Sequence, residues 1–175
     1  MERIANFEKV SYEQFEKDWK NTFGLKDIDA RTRREIESIY YGLELPTRAT
    51  AGSAGYDFVS PASFELKPGE TVKIPTGIRC WIEDGWVLQC YPRSGLGFKY
   101  RLQLDNTVGI IDSDYAYSDN EGHIFIKLTN DTHDDKTLFI KRGDKFAQGL
   151  FIPYGITVDD NCTEVRNGGF GSTGE

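Results

Sequence analysis

The spacing of apolar positions changes once along the chain. Over residues 11–42 they recur every three or four residues. The stretch SYEQFEKDWKNTFG places Phe15, Trp19 and Phe23 four apart, on one face of a helix. Ser11 and Gln14 fit a capping box, and Gly24 fits a stop. The stretch TRREIESIYYG then sets Ile36, Ile39, Tyr40 and Leu43 at helical spacing, with Thr32 and Glu35 as a second capping box and Gly42 as its end. Two amphipathic helices are predicted, either packed on the domain surface or offering a face to a protein partner. From about residue 44 the runs become short and alternating, split by turn residues. FELKPGETVKIPTGIRCWI is two such runs around a Pro-Gly turn, and CWIEDGWVLQCY reads as a hairpin turning at Glu83-Asp84-Gly85. HIFIKLTN and TLFIKRGDKFAQGLFIPY add further strands. Many short strands with Gly/Pro turns predict a sandwich, barrel or jelly roll.

Composition narrows the function. A chain of 175 residues can bury a core, and 38% hydrophobic and 13% aromatic residues predict folding over disorder. The net charge of −7 and the lack of a basic run argue against nucleic-acid or membrane-surface binding. An anionic small ligand stays open, because local arginines, amides or a metal override net charge. Three cysteines without a CxxC pair, and two histidines, predict neither a disulfide scaffold nor structural zinc. With no signal peptide or span visible in MERIANFEKV, a soluble cytoplasmic protein is expected.

Five short segments carry candidate chemistry. AGSAGYDF brings Asp57 out of small residues, as a strand-start carboxylate or one holding a metal-bound water. YPRSGLG is a polar turn or a compact anion site: Arg93, the Ser94 hydroxyl, the amides of Ser94 and Gly95, and glycines that admit phosphate oxygens. In NTVGIIDSDYAY, Asp112 and Asp114 are two apart and share a side of an extended chain. They either end a strand, or one takes a proton from water. Asn106 can donate and accept, as reading a base edge requires, and Tyr115 offers a flat wall. Gln148 in RGDKFAQGLF is a polar residue amid apolar ones and needs a partner. The tail RNGGFGSTGE keeps Arg166, Phe170, Ser172 and Thr173 among glycines, as a frayed end or a segment that orders on a ligand. Together these suit a nucleoside triphosphate.

AGSAGYDF, PRSGLG, NTVGIIDSDY, GDKFAQ and GGFGSTG resemble, in order and approximate spacing, the five motifs of the trimeric dUTP diphosphatases, over about residues 44–174. The resemblance implies an all-β, jelly-roll or distorted-barrel subunit, here with an N-terminal helical insertion at 11–42, in a single domain over 1–175. It implies a homotrimer whose shared sites hydrolyse dUTP to dUMP and pyrophosphate with Mg2+, lowering dUTP and supplying dUMP. By the same resemblance, Asp112 activates the attacking water and Asp57 holds the metal through its waters. Arg93, Ser94 and Gly95 bind phosphate, with Gln148 near the α-phosphate. Asn106 and the hairpin backbone, Gly109, Ile110 and Ile111 outward and Phe125 returning, face uracil. Tyr115 lies under the deoxyribose, where it would reject a 2′-hydroxyl, and Asp114 braces the hairpin or subunit contacts. Residues 166–175 form a mobile lid, with Phe170 stacked on uracil and Arg166, Gly171, Ser172 and Thr173 near the γ-phosphate.

Three features depart from that pattern. Tyr117 stands where glycine is usual, and SDNEG lengthens the hairpin. Arg166 lies four residues before Phe170 instead of five. The helical segment is additional. Two other readings follow: a dCTP deaminase on the related fold, for which Glu121 is the nearby base candidate, and a regulator whose helices bind a protein when nucleotide closes the tail.

Overall fold

The computed structural model describes residues 2–164 and 166. Strand β1 (Ala5–Lys9) leads into helices α1 (Tyr12–Phe23) and α2 (Ala30–Tyr41). There follow β2 (Thr47–Arg48), β3 (Tyr56–Val59), β4 (Phe64–Leu66), β5 (Thr71–Pro75), β6 (Ile78–Ile82) and β7 (Trp86–Pro92). After the short helix α3 (Ser94–Tyr100) come β8 (Leu102–Leu104), β9 (Gly109–Ile111), a 3-10 turn at Ser113–Tyr117, β10 (Phe125–Asn130), β11 (Leu138–Ile140) and β12 (Lys145–Pro153).

All described strand pairs are antiparallel. The largest sheet runs β2-β3-β12-β7-β9, and the others run β5-β10-β8, β1-β6 and β4-β11. Their inner faces share one core that includes Phe58, Leu88, Leu102, Ile126, Leu128 and Phe146. The turn predicted at Glu83-Asp84-Gly85 forms, with Gly85 at φ +84° and Trp86 N–H donating to the Glu83 carbonyl at 3.2 Å. The predicted hairpin does not: β6 pairs with β1, and β7 with β12 and β9. The 109–125 hairpin is likewise corrected, since β9 pairs with β7 and β10 pairs with β5 and β8. In both cases a turn brings the chain round, but burial of alternate faces sends its two arms to different sheets.

The helices pack where their apolar stripes predict. Phe15, Trp19 and Ile36 are buried with Val10, and Ile39, Tyr40 and Leu43 pack against them, while Phe23 at the stripe's end is exposed. Ser11 caps α1, its hydroxyl accepting from Gln14 N–H, and Gly24 ends the helix at φ +66°. The α2 cap is a correction. Asp29, not Thr32, is the cap, and its carboxylate accepts the Thr32 N–H at 2.7 Å; Glu35 pairs instead with Arg31. Asp29 is itself a strong capping residue, so the helix starts three residues earlier than the Thr32 box implies.

His123 ties this helical layer to the sheets. Its ring is fully buried, and its Nε2 accepts the Gly77 N–H at 2.8 Å. A ring nitrogen that accepts carries no proton, so Nδ1 carries it and donates to Asp18 of α1 at 2.6 Å. Gln14 Nε2 donates to the same Asp18 oxygen at 2.8 Å. Burial disfavours the Asp18 charge, but these hydrogen bonds outweigh it and hold the carboxyl below the ordinary carboxylate range. A depressed folded value stabilises the protein above the unfolded value, and the gain is lost as pH falls through the folded one. Urea midpoints from pH 6 to 3 therefore fall with acid, and Asp18→Asn flattens the part below about pH 4. Equal slopes in both proteins would remove Asp18 from this role.

Candidate active site

Three strands of the large sheet bring Asp57, Tyr91 and Gln148 into one row: Gln148 of β12 lies opposite Asp57 of β3 and Tyr91 of β7. Asp57 is only 6% exposed, so its charge needs partners. It has two: Arg93 Nε lies 3.0 Å from Oδ1, and Lys145 Nζ donates to Oδ2 at 2.9 Å. The Arg93 contact at Nε leaves its terminal amino groups for another anion. Gln148 Nε2 donates to the Pro92 carbonyl at 3.1 Å. A Cβ on Gly55 would stand 2.8 Å from Gln148 Oε1, so the glycine admits this side chain. Helix α3 opens at Ser94 with Arg93 as its cap residue, so the amides of Ser94 and Gly95 have no acceptor within the helix.

A second group lies on β9 and the turn after it. Gly109 and Ile111 are buried and Ile110 is half-exposed; Gly109 sits directly over Cys90, where a Cβ would meet the cysteine Cβ at 3.1 Å. Asn106 is exposed in the β8–β9 turn, its amide nitrogen beside Gly109. The extended chain expected from Asp112 to Asp114 is corrected: Asp114 lies in the 3-10 turn that Asp112 precedes, and Arg166 joins the two carboxylates. Its Nε donates to Asp114 Oδ1 at 2.8 Å, and a terminal nitrogen donates to Asp112 Oδ2. The arginine expected at a γ-phosphate thus rests on carboxylates of its own chain, and must leave them to reach one. Phe170, Gly171, Ser172 and Thr173 lie outside the described residues.

Tyr115 is buried, its hydroxyl donating to the His123 carbonyl at 2.8 Å and accepting from Asn120 Nδ2 at 2.9 Å. Burial pushes its phenol above the ordinary tyrosine value. Its ring is buried in the core and is not the open flat wall the sequence suggests. Phe125 is half-buried, its ring centroid 4.6 Å from that of His123 and tilted 41° to it. Glu121 accepts the Ser11 N–H at 2.7 Å and the Ser11 hydroxyl at 2.5 Å, which anchors it at the start of α1. Sequence reasoning missed Lys145, Asp18 and His123. Lys145 had a usable signal, since GDKFAQ puts it three residues before Gln148 on the strand paired with Asp57.

Across the large sheet, β3 and β9 are three strand spacings apart, about 14 Å at ~4.8 Å each. One chain therefore carries cation donors for an anion at one place and a solvent-reaching carboxylate pair at another. Such parts, on a mainly β scaffold, suit a hydrolase of anionic esters or anhydrides. The dUTPase family model matches residues 42–174. The deoxyuridine 5′-triphosphate nucleotidohydrolase of Lactococcus lactis is 42% identical over 136 residues, covering 76% of this chain and 89% of that protein. The crystal structure of the Streptococcus mutans dUTPase is 40% identical, with a TM-score of 0.56 over 65% of this chain and 88% of that one. A dUTPase from phage phi11 of S. aureus, described for its structural Mg(II) ion, is 25% identical with a TM-score of 0.56 over 70% of this chain and 91% of its own. The chain belongs to the dUTPase family, and its fold is the dUTPase-like β fold expected from the sequence.

Proposed function

We propose that the protein hydrolyses dUTP to dUMP and pyrophosphate, with Asp112 activating the water that attacks the α-phosphorus. The observation that carries this is the pairing of the Asp57–Arg93–Lys145 cluster with the Asp112–Asp114 pair, in a chain of this family. Arg93 and Lys145 supply positive charge to the triphosphate, and Ser94 and Gly95 supply amide donors. Gln148 lies in line with Asp57, as a residue orienting the α-phosphate needs. Asn106 and the backbone from Gly109 to Ile111 read uracil, with Phe125 on the returning arm and Tyr115 beneath the deoxyribose. Residues 166–175 close over the nucleotide, Phe170 on the base and Arg166, Gly171, Ser172 and Thr173 at the γ-phosphate.

Among the described residues no three His, Cys, Asp or Glu side chains could cage a metal ion. Mg2+ keeps several waters and binds through substrate phosphates and one or two carboxylates. Asp57 has lone pairs left beyond its two cationic partners, so the donor set fits a hydrated Mg2+–nucleotide held through water at Asp57. When bound, the ion would neutralise phosphate charge.

The separation of the two groups within one chain favours sites completed by other copies, in a homotrimer. Phe98 beside the Arg93 motif is 94% exposed, which a subunit contact would cover. One experiment tests both statements: purified protein at the mass of three 19.9 kDa chains, by sedimentation, releases pyrophosphate from dUTP with Mg2+ and stops with a chelator. A monomer, or release from dCTP instead, would sink the respective reading. No helix among the described residues is long and apolar enough to cross a membrane.

A further inference from the structure

We infer that helix α1 positions the sugar side of the nucleotide pocket through a buried relay, Asp18–His123–Tyr115, which makes Asp18 and His123 positioning residues for choosing deoxyribose over ribose. The inference rests on Tyr115 lying beneath the deoxyribose. Each link is a hydrogen bond. Asp18 accepts from His123 Nδ1 at 2.6 Å, and Gly77 N–H donates to Nε2 at 2.8 Å, so both ring nitrogens are fixed. The His123 backbone carbonyl accepts the Tyr115 hydroxyl at 2.8 Å. Asn120 closes the loop, with Nδ2 on the Tyr115 hydroxyl and its carbonyl accepting the His123 N–H at 3.1 Å. Packing allows the ring no other place: His123 lies between Phe15 of α1 at 6.2 Å and Phe125 at 4.6 Å. Gly77 sits at φ +74°, which favours glycine, and its backbone packs against Phe15 and Leu43 of the helical layer.

The helices and the 117–122 segment meet at the relay. The lengthened 117–122 segment ends at His123, and Glu121 within it caps α1 through Ser11. The helices thus brace the floor of the pocket from behind. A tyrosine fixed at both ring and hydroxyl cannot yield to a 2′-hydroxyl, whereas a loosened one can, and small misplacements in a reactive pocket are costly.

The test measures kcat/KM for dUTP and UTP in the full-length chain. Asp18→Ala and Tyr115→Phe are each expected to lower the dUTP-over-UTP ratio by about tenfold. The double variant falls no further, because each cuts a link of the same series, and Asp18→Asn, which keeps an acceptor for Nδ1–H, restores the ratio. General destabilisation would lower both substrates together and leave the ratio unchanged. Nitrogen-15 NMR of the imidazole should find the His123 proton on Nδ1. An unchanged ratio in the folded variants, effects that multiply, or a proton on Nε2 overturns the relay. If Asp18→Ala does not fold, Tyr115→Phe decides alone, since it removes the link and keeps the ring. Loss of discrimination in Tyr115→Ala with none in Asp18→Ala overturns the relay and leaves the sugar floor standing; no loss in Tyr115→Ala overturns both.

Discussion

Asp112→Asn is expected to lower dUTP turnover by ~10²–10⁴-fold while nucleotide affinity stays nearly unchanged. The position suits the proton transfer proposed for it. Asp112 follows β9 as the cap residue of the 3-10 turn, with Tyr115 N–H donating to its carbonyl at 3.1 Å. Its backbone is therefore fixed, while its carboxylate is 44% exposed and within reach of water. Asparagine keeps the shape and still offers an oxygen to Arg166, but it cannot take a proton at neutral pH. Uniform binding survives and the transition-state interaction is lost, so kcat and kcat/KM fall together. Pre-steady-state turnover, with binding of a non-hydrolysable dUTP analogue, separates the two quantities. Turnover within a few-fold of wild type would move the base to Asp114, the other carboxylate held by Arg166.

The helices and the family were legible in the sequence, and long-range partners were not. Phe15, Trp19 and Ile36 announce their burial because helical period is a local signal. The Asp29 cap was misread because Asp29 and Thr32 are both capping residues three apart, and the Glu35 after Thr32 favoured the wrong one. The Glu83-Asp84-Gly85 turn was legible from turn chemistry alone. The partners of β6 and β7 were not, since β7 pairs with β12 some sixty residues on and no local signal encodes that register. The same limit hid His123. Its partner Asp18 is 105 positions away, and a lone histidine after a glycine gives no sign of its tautomer. An arginine in a glycine-rich tail signals an anion but not which one, and in this chain Arg166 meets Asp112 and Asp114, more than fifty positions away.

Phe15→Ala is expected to destabilise the protein by ~3–5 kcal/mol, near the upper end for a single core truncation. Phe15 is fully buried. Its ring meets Trp19 at 5.2 Å, Tyr40 at 5.7 Å and His123 at 6.2 Å, so it joins α1, α2 and the sheet-borne histidine at one point. Gly77 lies against the same ring, where even a Cβ would come within 3.2 Å, so the backbone on that side is packed close and cannot easily move to refill a void. The cavity therefore persists and adds to the lost transfer energy. At ~2–4 °C per kcal/mol for a chain of this size, Tm falls by roughly 6–20 °C. The shape of the transition carries the further information. The Asp18–His123 and Ser11–Glu121 contacts make the helices part of the folded core, so calorimetry at fixed protein concentration should show one transition moved as a whole. A small early transition with the main one unmoved would mean that the helices melt independently. The relay then requires the dUTP-over-UTP preference to drop across that early transition, because melting α1 removes Asp18 from His123.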